Sequence, residues 1–311
     1  MSKTLYFSKV SINSSKIYEI YDGVETPQNV MKKLFSDMKN GKNYKNVITR
    51  ILNGDTRVEE YNFYLTGINK FDNDPSDVLV GAVIKTSKIF INNIDKETGK
   101  KKTKAFDSDE LSGFCFYPTK EIVCFYTTNR FGYKEFCNAF EGLLNSCSMD
   151  DSQNGEYFKV KLLTNGVSLD NIKDDLKRLR NIETIRINII PPNPNGDLLK
   201  AIREDAEERL KDMGMGRISE KSILFKSRDL RGLNSESKEI SEELDKMSAI
   251  HTKLSTEEST SNGYVEVEAV SMDGTVYNTN NTKIIKYRMP DTIVGDKMFA
   301  DYCKSLILKI I

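Results

Sequence analysis

Leu111-Ser-Gly-Phe-Cys-Phe-Tyr-Pro-Thr-Lys-Glu-Ile-Val-Cys-Phe-Tyr-Thr127 decides the fold class. Its two halves, Gly113 to Pro118 and Ile122 to Thr127, are dense in the aromatic and β-branched residues that strands favour. Pro118 to Glu121 between them has turn composition, so the stretch reads as a strand pair folded on itself. With a four-residue loop, Cys115 and Cys124 stand directly opposite each other. They read as buried thiols, with a redox switch or a metal pair as alternatives. Phe114, Phe116, Tyr117, Phe125 and Tyr126 read as core; on an exposed sheet they would instead stack single-stranded bases.

Working outward, Arg57 to Asn69 and Val78 to Ile94 are further β-rich segments. Tyr133 to Ser146 is helical in pattern, with Phe136, Phe140, Leu143 and Leu144 on one face. Towards the N-terminus, Leu5 to Ile12 and Lys16 to Tyr21 read as a hairpin around Asn13-Ser-Ser15. Thr26 then caps a helix with Pro27 at its first position, Val30, Leu34 and Met38 in register, and Gly41 as its stop. Tyr44 to Leu52 reads as a second short helix, ending at Asn53-Gly54. Residues 1–150 are thus expected to be an antiparallel sheet with packed helices, bounded by the polar stretch Met149 to Gly155.

Residues 156–311 read as a second α+β domain. Tyr157 to Leu163 is a strand, Ser168 caps a helix carrying Ile172, Leu176 and Leu179, and Thr184 to Ile190 is a strand: a βαβ or split-βαβ unit. Pro191-Pro-Asn-Pro194 breaks the chain before a helix over Asp197 to about Met213. Ser222 to Phe225 is a short strand. Ser235 to Lys253 is a charged helix whose sparse apolar positions, Ile240, Leu244, Met247 and Ile250, fit a half-exposed surface. After a polar linker, Thr256 to Asn262, a hairpin turns at Met272-Asp-Gly274, read as type I′. Thr292 to Ile311 closes as a helix. The expected class is α+β.

Lys+Arg and Asp+Glu both number 46 in 311 residues, so the net charge is zero. No global field draws the chain to polyanions, and a nucleic-acid site has to be a local basic patch. Neither a signal-type run nor about 18 consecutive apolar residues occurs, so a cytoplasmic protein is expected. Five cysteines without a C-x-x-C pair do not make a secreted disulfide framework. His251 is the single histidine, which removes most triads, zinc clusters and imidazole acid–base schemes. Phosphate-cradling glycine motifs and G-x-S-x-G are absent. The acidic residues of Val265-Glu-Val-Glu-Ala269 lack the lysine of a metal-dependent nuclease and read as the solvent side of a hairpin. No catalytic residue, metal ligand or cofactor is expected.

Basic clustering is more productive. Lys100, Lys101, Lys102 and Lys104 fall in a loop between two predicted strands, beside Lys96 and opposed only by Asp95 and Glu97. Two readings stand: a solvated hairpin tip, or a projecting ribbon that enters a DNA groove. Arg217, Lys221, Lys226, Arg228 and Arg231 form a second cluster, interrupted by Ser219, Ser222 and Ser227, which also donate to phosphates. Solvated loop and DNA site are both open there. Lys283, Lys286 and Arg288 are a weaker third group. The charged helix carries Glu236, Glu239, Glu242, Glu243 and Asp245, which would repel DNA and suit a subunit or a basic partner.

The order of these segments resembles the RexA-like family of DNA-binding phage-exclusion and bacterial anti-phage defence proteins. The resemblance runs through Tyr61-Asn-Phe-Tyr-Leu65, Leu111-Ser-Gly-Phe-Cys-Phe116, the turn Pro118 to Glu121 and Ile122 to Thr128. It continues through the strand–helix–strand of Phe158 to Ile190, Pro191-Pro192, the hairpin at Asp273-Gly274 and the last helix with Tyr302-Cys303. It implies a two-domain homodimer that binds double-stranded DNA without strong sequence preference. It also implies a role in abortive infection upstream of a membrane-protein effector encoded nearby. The leading expectation is therefore a non-enzymatic DNA-binding protein. Its rivals are a nuclease or nucleotide-processing toxin using scattered carboxylates, and a protein-binding inhibitor or scaffold.

Overall fold

The structure is a computed structural model that describes residues 3–13, 16–52, 55–71, 78–94, 97–99, 101–148, 158–164, 167–190, 212–248, 265–281 and 284–310. Its centre is a curled antiparallel sheet of eight strands. These are β1 (Thr4–Ile12), β2 (Asn43–Leu52), β3 (Asp55–Phe71), β4 (Val78–Ile94), β5 (Lys101–Tyr117), β6 (Ile122–Tyr126), β7 (Phe158–Leu162) and β12 (Lys286–Arg288). Their order is β12-β1-β6-β5-β4-β3-β2, and β7 takes the rest of the β1 edge beside β12.

The hairpin read from Leu111 to Thr127 is present as β5 and β6. A 3₁₀ turn, Pro118–Lys120, and Glu121 in the left-handed region (φ 57°) connect them, and Cys115 stands opposite Cys124. The Glu121 carboxylate is buried against the Lys9 ammonium at 2.8 Å, and its carbonyl accepts from Val10 N–H. The curl has a local cause. Between Thr66 and Asn69 the β3–β4 register slips, Gly67 sits at φ 60°, and the Asn40 side chain accepts the Ile68 N–H at 2.8 Å. A glycine bulge of this kind bends its strand and increases the local twist.

Both faces of this sheet are covered. On the inner face lie α1 (Lys16–Tyr21), α2 (Pro27–Asp37) and α3 (Tyr133–Ser148). The Thr26 side chain caps α2 by accepting the Asn29 N–H, and Val30 and Leu34 face inward. Phe136 is the hub of the aromatic packing: its ring stacks on Phe125 at 3.9 Å and on Phe140 at 5.5 Å, with Phe114 and Phe131 around it. On the outer face the last helix, Asp296–Ile310, sets Ala300, Cys303, Leu306 and Ile307 against Leu5, Phe7, Val80, Cys115 and Cys124.

A second antiparallel sheet has the order β11-β10-β8-β9, from β8 (Ile182–Ile189), β9 (Lys221–Lys226), β10 (Val265–Ser271) and β11 (Val276–Asn278). One face is covered by α4 (Leu169–Arg178) and α5 (Lys238–Ser248). Ile185, Ile187, Val265 and Val267 pack there on Ile172, Leu176, Ile240 and Leu244. We number the last helix α6. The mixed α+β class expected from the sequence is what the protein has. The strand–helix–strand order from Phe158 to Ile189 is present, but β7 belongs to the large sheet and β8 to the small one. The boundary near residue 150 is likewise crossed by hydrogen bonding, because β7 and β12 pair with β1.

Three local expectations are corrected. Lys16–Tyr21 is helix α1, not a strand, with Ile17, Tyr18 and Ile20 buried. Tyr44 to Leu52 is strand β2, not a helix, and Leu52 pairs with Asp55 of β3; Asn53-Gly54 lies outside the described residues. The turn after β10 is not type I′. Among Met272, Asp273 and Gly274 only Gly274 has positive φ (84°), and its N–H bonds the Ser271 carbonyl, a type I turn closed by a left-handed glycine. The charged helix begins at Lys238, later than expected. The expected helix from Asp197 lies outside the described residues except for a helical turn at 212–215. His251, the linker 256–262 and Pro191–Pro194 lie outside them too.

Candidate nucleic-acid interface

The β4–β5 hairpin outgrows the sheet it belongs to. Each strand has 17 residues. Pairing of β4 with β3 stops at Thr86, and pairing of β5 with β6 begins only at Phe114. From there to Ile94 opposite Lys101, the two strands pair only with each other among the described residues. At about 3.3 Å per residue, the eight residues after Thr86 carry the ribbon roughly 26 Å from the sheet. Lys101, Lys102 and Lys104 are therefore not in a loop: they continue β5, opposite Ile94, Asn93 and Ile91. Lys100 and the side chains of the other three lie outside the described residues.

Charge changes sign along this ribbon. Residues 88–104 contain six lysines and two acids, a net charge of +4. The root carries Asp107, Asp109 and Glu110, and two of these are engaged: Thr86 donates to Asp109 at 2.7 Å and Thr128 to Glu110 at 2.8 Å. The root also borders a cleft of about 410 Å³ where β3 and β4 part, lined by Val58, Glu60, Asn62, Thr86, Lys88 and Asp107. Inside the junction the buried Lys85 ammonium bonds the Arg130 carbonyl at 2.7 Å and the Glu135 carboxylate at 2.8 Å, 5.0 Å from the Tyr61 ring.

The second cluster sits on β9, an edge strand, and the turns around it. Arg217 ends the helical turn with left-handed backbone (φ 51°), its N–H bonded to the Gly214 carbonyl. The Tyr18 hydroxyl of α1 donates to the Ile218 carbonyl, which ties this segment to the helices of the large sheet. Five cations were singled out here, and the structure divides them. Lys226 pairs with Glu183 at 3.3 Å, and Arg231 holds Asp229 through two side-chain bonds that keep the Asp229 carboxyl below its usual range. Arg217, Lys221 and Arg228 are exposed and have no ion pair among the described residues. In the third group, Lys286 and Arg288 lie in β12, while Lys283 is outside the described residues.

Two acidic features differ from their expected roles. Glu266 is not on an open solvent face: burial raises its carboxyl, but Lys161 at 3.2 Å and Asn278 at 2.7 Å bring it below the usual range. The acids around α5 are mostly engaged. Glu236 pairs with Lys177 and Asp245 with Lys173, both across to α4, while Glu242 and Glu243 pair with Lys238 and Lys246. Among the described residues, no group of three or more His, Cys, Asp or Glu is placed to hold a metal ion. No described helix is long and apolar enough to cross a membrane. Edge position, the division of paired from unpaired cations, and the missing sheet neighbours of the ribbon were beyond sequence reasoning, because each depends on partners distant in the chain.

No curated protein matches the chain. Residues 32–292, most of both sheets, match the model of a domain of unknown function, DUF4747, and the chain belongs to that family.

Proposed function

We propose that this is a non-enzymatic protein that binds double-stranded DNA with little sequence preference, acting as a cytoplasmic homodimer in anti-phage defence. The observation that carries the reading is the β4–β5 ribbon: it leaves its sheet at Thr86 and turns from acidic at its root to a net +4 over residues 88–104. A two-stranded antiparallel ribbon has the dimensions to enter a major groove, and lysines on it meet phosphates on both rims. Arg217, Lys221 and Arg228 provide a second phosphate-binding element, and arginine's planar fork suits bidentate contact. Lysine is a point charge without a fixed fork, so discrimination rests on duplex shape rather than base edges. The defence role, the dimer and a membrane-protein effector as partner rest on the RexA-like order of segments.

A mobility-shift titration with a random-sequence duplex at rising salt, with a single-stranded control, tests this. Salt-sensitive binding that prefers duplex is expected, and Lys101→Glu with Lys102→Glu lowers the slope of log K against log salt by about 1.8, or about 0.9 per phosphate. No binding at low salt, or an unchanged slope in the double variant, overturns the ribbon assignment.

A further inference from the structure

Sequence places Cys115 opposite Cys124; the fold adds a third thiol between them. Cys303 of α6 lies on the outer face of the large sheet over β5 and β6, and all three cysteines are 0% exposed. Cys303 shares one buried cluster with Cys115 and Cys124, which stand opposite each other on the adjacent strands. Cys137 and Cys147 are elsewhere, on α3 under the opposite face. Three buried thiols brought together from a helix and two central strands are more than apolar filling requires, since alanine or valine would fill the site without thiol chemistry.

We infer that Cys303 is a redox-modification site whose sulfur forms a disulfide with Cys115 or Cys124, fastening α6 to the sheet. The helix thiol reacts first. α6 is held by one face only, through Ala300, Cys303, Leu306 and Ile307, whereas β5 and β6 are paired on both edges. Local opening therefore exposes Cys303 while its two partners stay in place. The oxidant is a disulfide or diazene. The Cys303 thiolate adds across the diazene N=N, or displaces one thiolate from the disulfide, to give a covalent adduct. On reclosure the thiolate of Cys115 or Cys124 attacks the Cys303 sulfur and expels the hydrazine or the second thiolate. Two S–H bonds are lost, one S–S bond forms, two protons leave, and two electrons reduce the oxidant. One thiol of the three remains and can exchange the bond between the two strands. In a reducing compartment the cluster rests as thiols, and the latch closes only when oxidant is present. Burial keeps these sulfurs protonated and slow in the closed state, so opening sets the rate.

The test treats the folded full chain with diamide in sub-denaturing urea, blocks remaining thiols, and maps tryptic peptides without reduction. Trypsin separates the three cysteines into peptides 105–120, 121–130 and 298–304, and leaves Cys137 and Cys147 together in 135–159. Expected is 298–304 linked to 105–120 or 121–130, with 135–159 blocked and unlinked. Oxidised protein then melts several degrees higher than reduced protein, reversibly with dithiothreitol. Cys137→Ala keeps that rise and Cys303→Ala abolishes it. Recovery of 298–304 unlinked after complete treatment, a bond confined to Cys115 and Cys124, or a rise that survives Cys303→Ala each overturns the inference.

Discussion

At its root the β4–β5 hairpin is buried from both sides: Phe114 and Phe116 lie against α3, Cys115 and Val80 beneath α6. Past Thr86 the same two strands pair only with each other among the described residues, and lysines gather there alongside Phe90 and Phe106. The β2–β3 hairpin makes the contrast sharper, because it also runs beyond its neighbour, from Tyr61 to Asp55 on β3. Residues 45–60 there hold three basic and three acidic side chains, a net charge of zero. Free strand edges need charge to discourage association with other edges, and mixed charge meets that need on β2–β3. Edge protection therefore leaves the +4 of the second ribbon without an account, whereas phosphate binding supplies one. One hairpin thus carries two kinds of constraint along its length: burial at the root specifies the fold, and composition beyond it is not fixed by packing, which leaves room for the proposed binding.

That division has measurable consequences, the largest at the root. Phe136→Ala removes the ring between Phe125 and Phe140, and the 3.9 Å stack leaves no neighbour able to fill the space without moving a strand. A loss of about 3–5 kcal/mol is expected in urea unfolding. DNA binding measured well below the unfolding midpoint keeps its salt slope. A slope that falls in parallel with stability would show that root and ribbon are not separable.

The junction comes next in size. Lys85 is 8% exposed in its side chain and Glu135 34%, so the two halves of the pair are not equivalent. Glu135→Ala leaves a buried ammonium with only the Arg130 carbonyl and the Tyr61 and Phe131 rings, and should cost about 2–3 kcal/mol. Lys85→Ala leaves a carboxylate that can hydrate, and should cost about 1–2 kcal/mol. Equal costs would mean that Lys85 reaches water and that the junction is looser than the packing shows.

Where partners are local, the sequence was readable. Ser168 capping α4, Thr26-Pro27 opening α2 and the Cys115–Cys124 opposition all follow from spacing alone. Asn53-Gly54 shows how a correct signal can be misassigned. Placed after Tyr44 to Leu52, the dipeptide reads as a helix stop. The β-branched content and the long partner strand β3 decide for a hairpin instead. Lys16 to Tyr21 failed for the converse reason: β1 finds its partners in β6, β7 and β12, all far along the chain, and leaves none for a local hairpin. The candidate interface was half legible. Lysine density is in the sequence. Pairing of Lys226 with Glu183, and the approach of Cys303 to two strand thiols, are properties of the folded chain.

The smallest stability effect belongs to the ribbon's far end, and it is the one that most directly separates the two hairpins. Glutamate at Lys101 and Lys102 changes residues on a stretch of β5 that pairs only with β4 among the described residues, so unfolding free energy should move by no more than about 0.5 kcal/mol. The same two charges should be visible in the salt dependence of duplex binding. The matched control is Lys45→Glu on the other projecting hairpin, where the lysine already pairs with Glu60 at 2.9 Å, both side chains about half exposed. Losing that pair costs at most about 1 kcal/mol, and with no net positive charge around it the salt slope should stay where it was. A fall in slope from Lys45→Glu as large as that from the ribbon pair would mean that DNA senses overall charge. Binding would then belong to no particular part of the molecule.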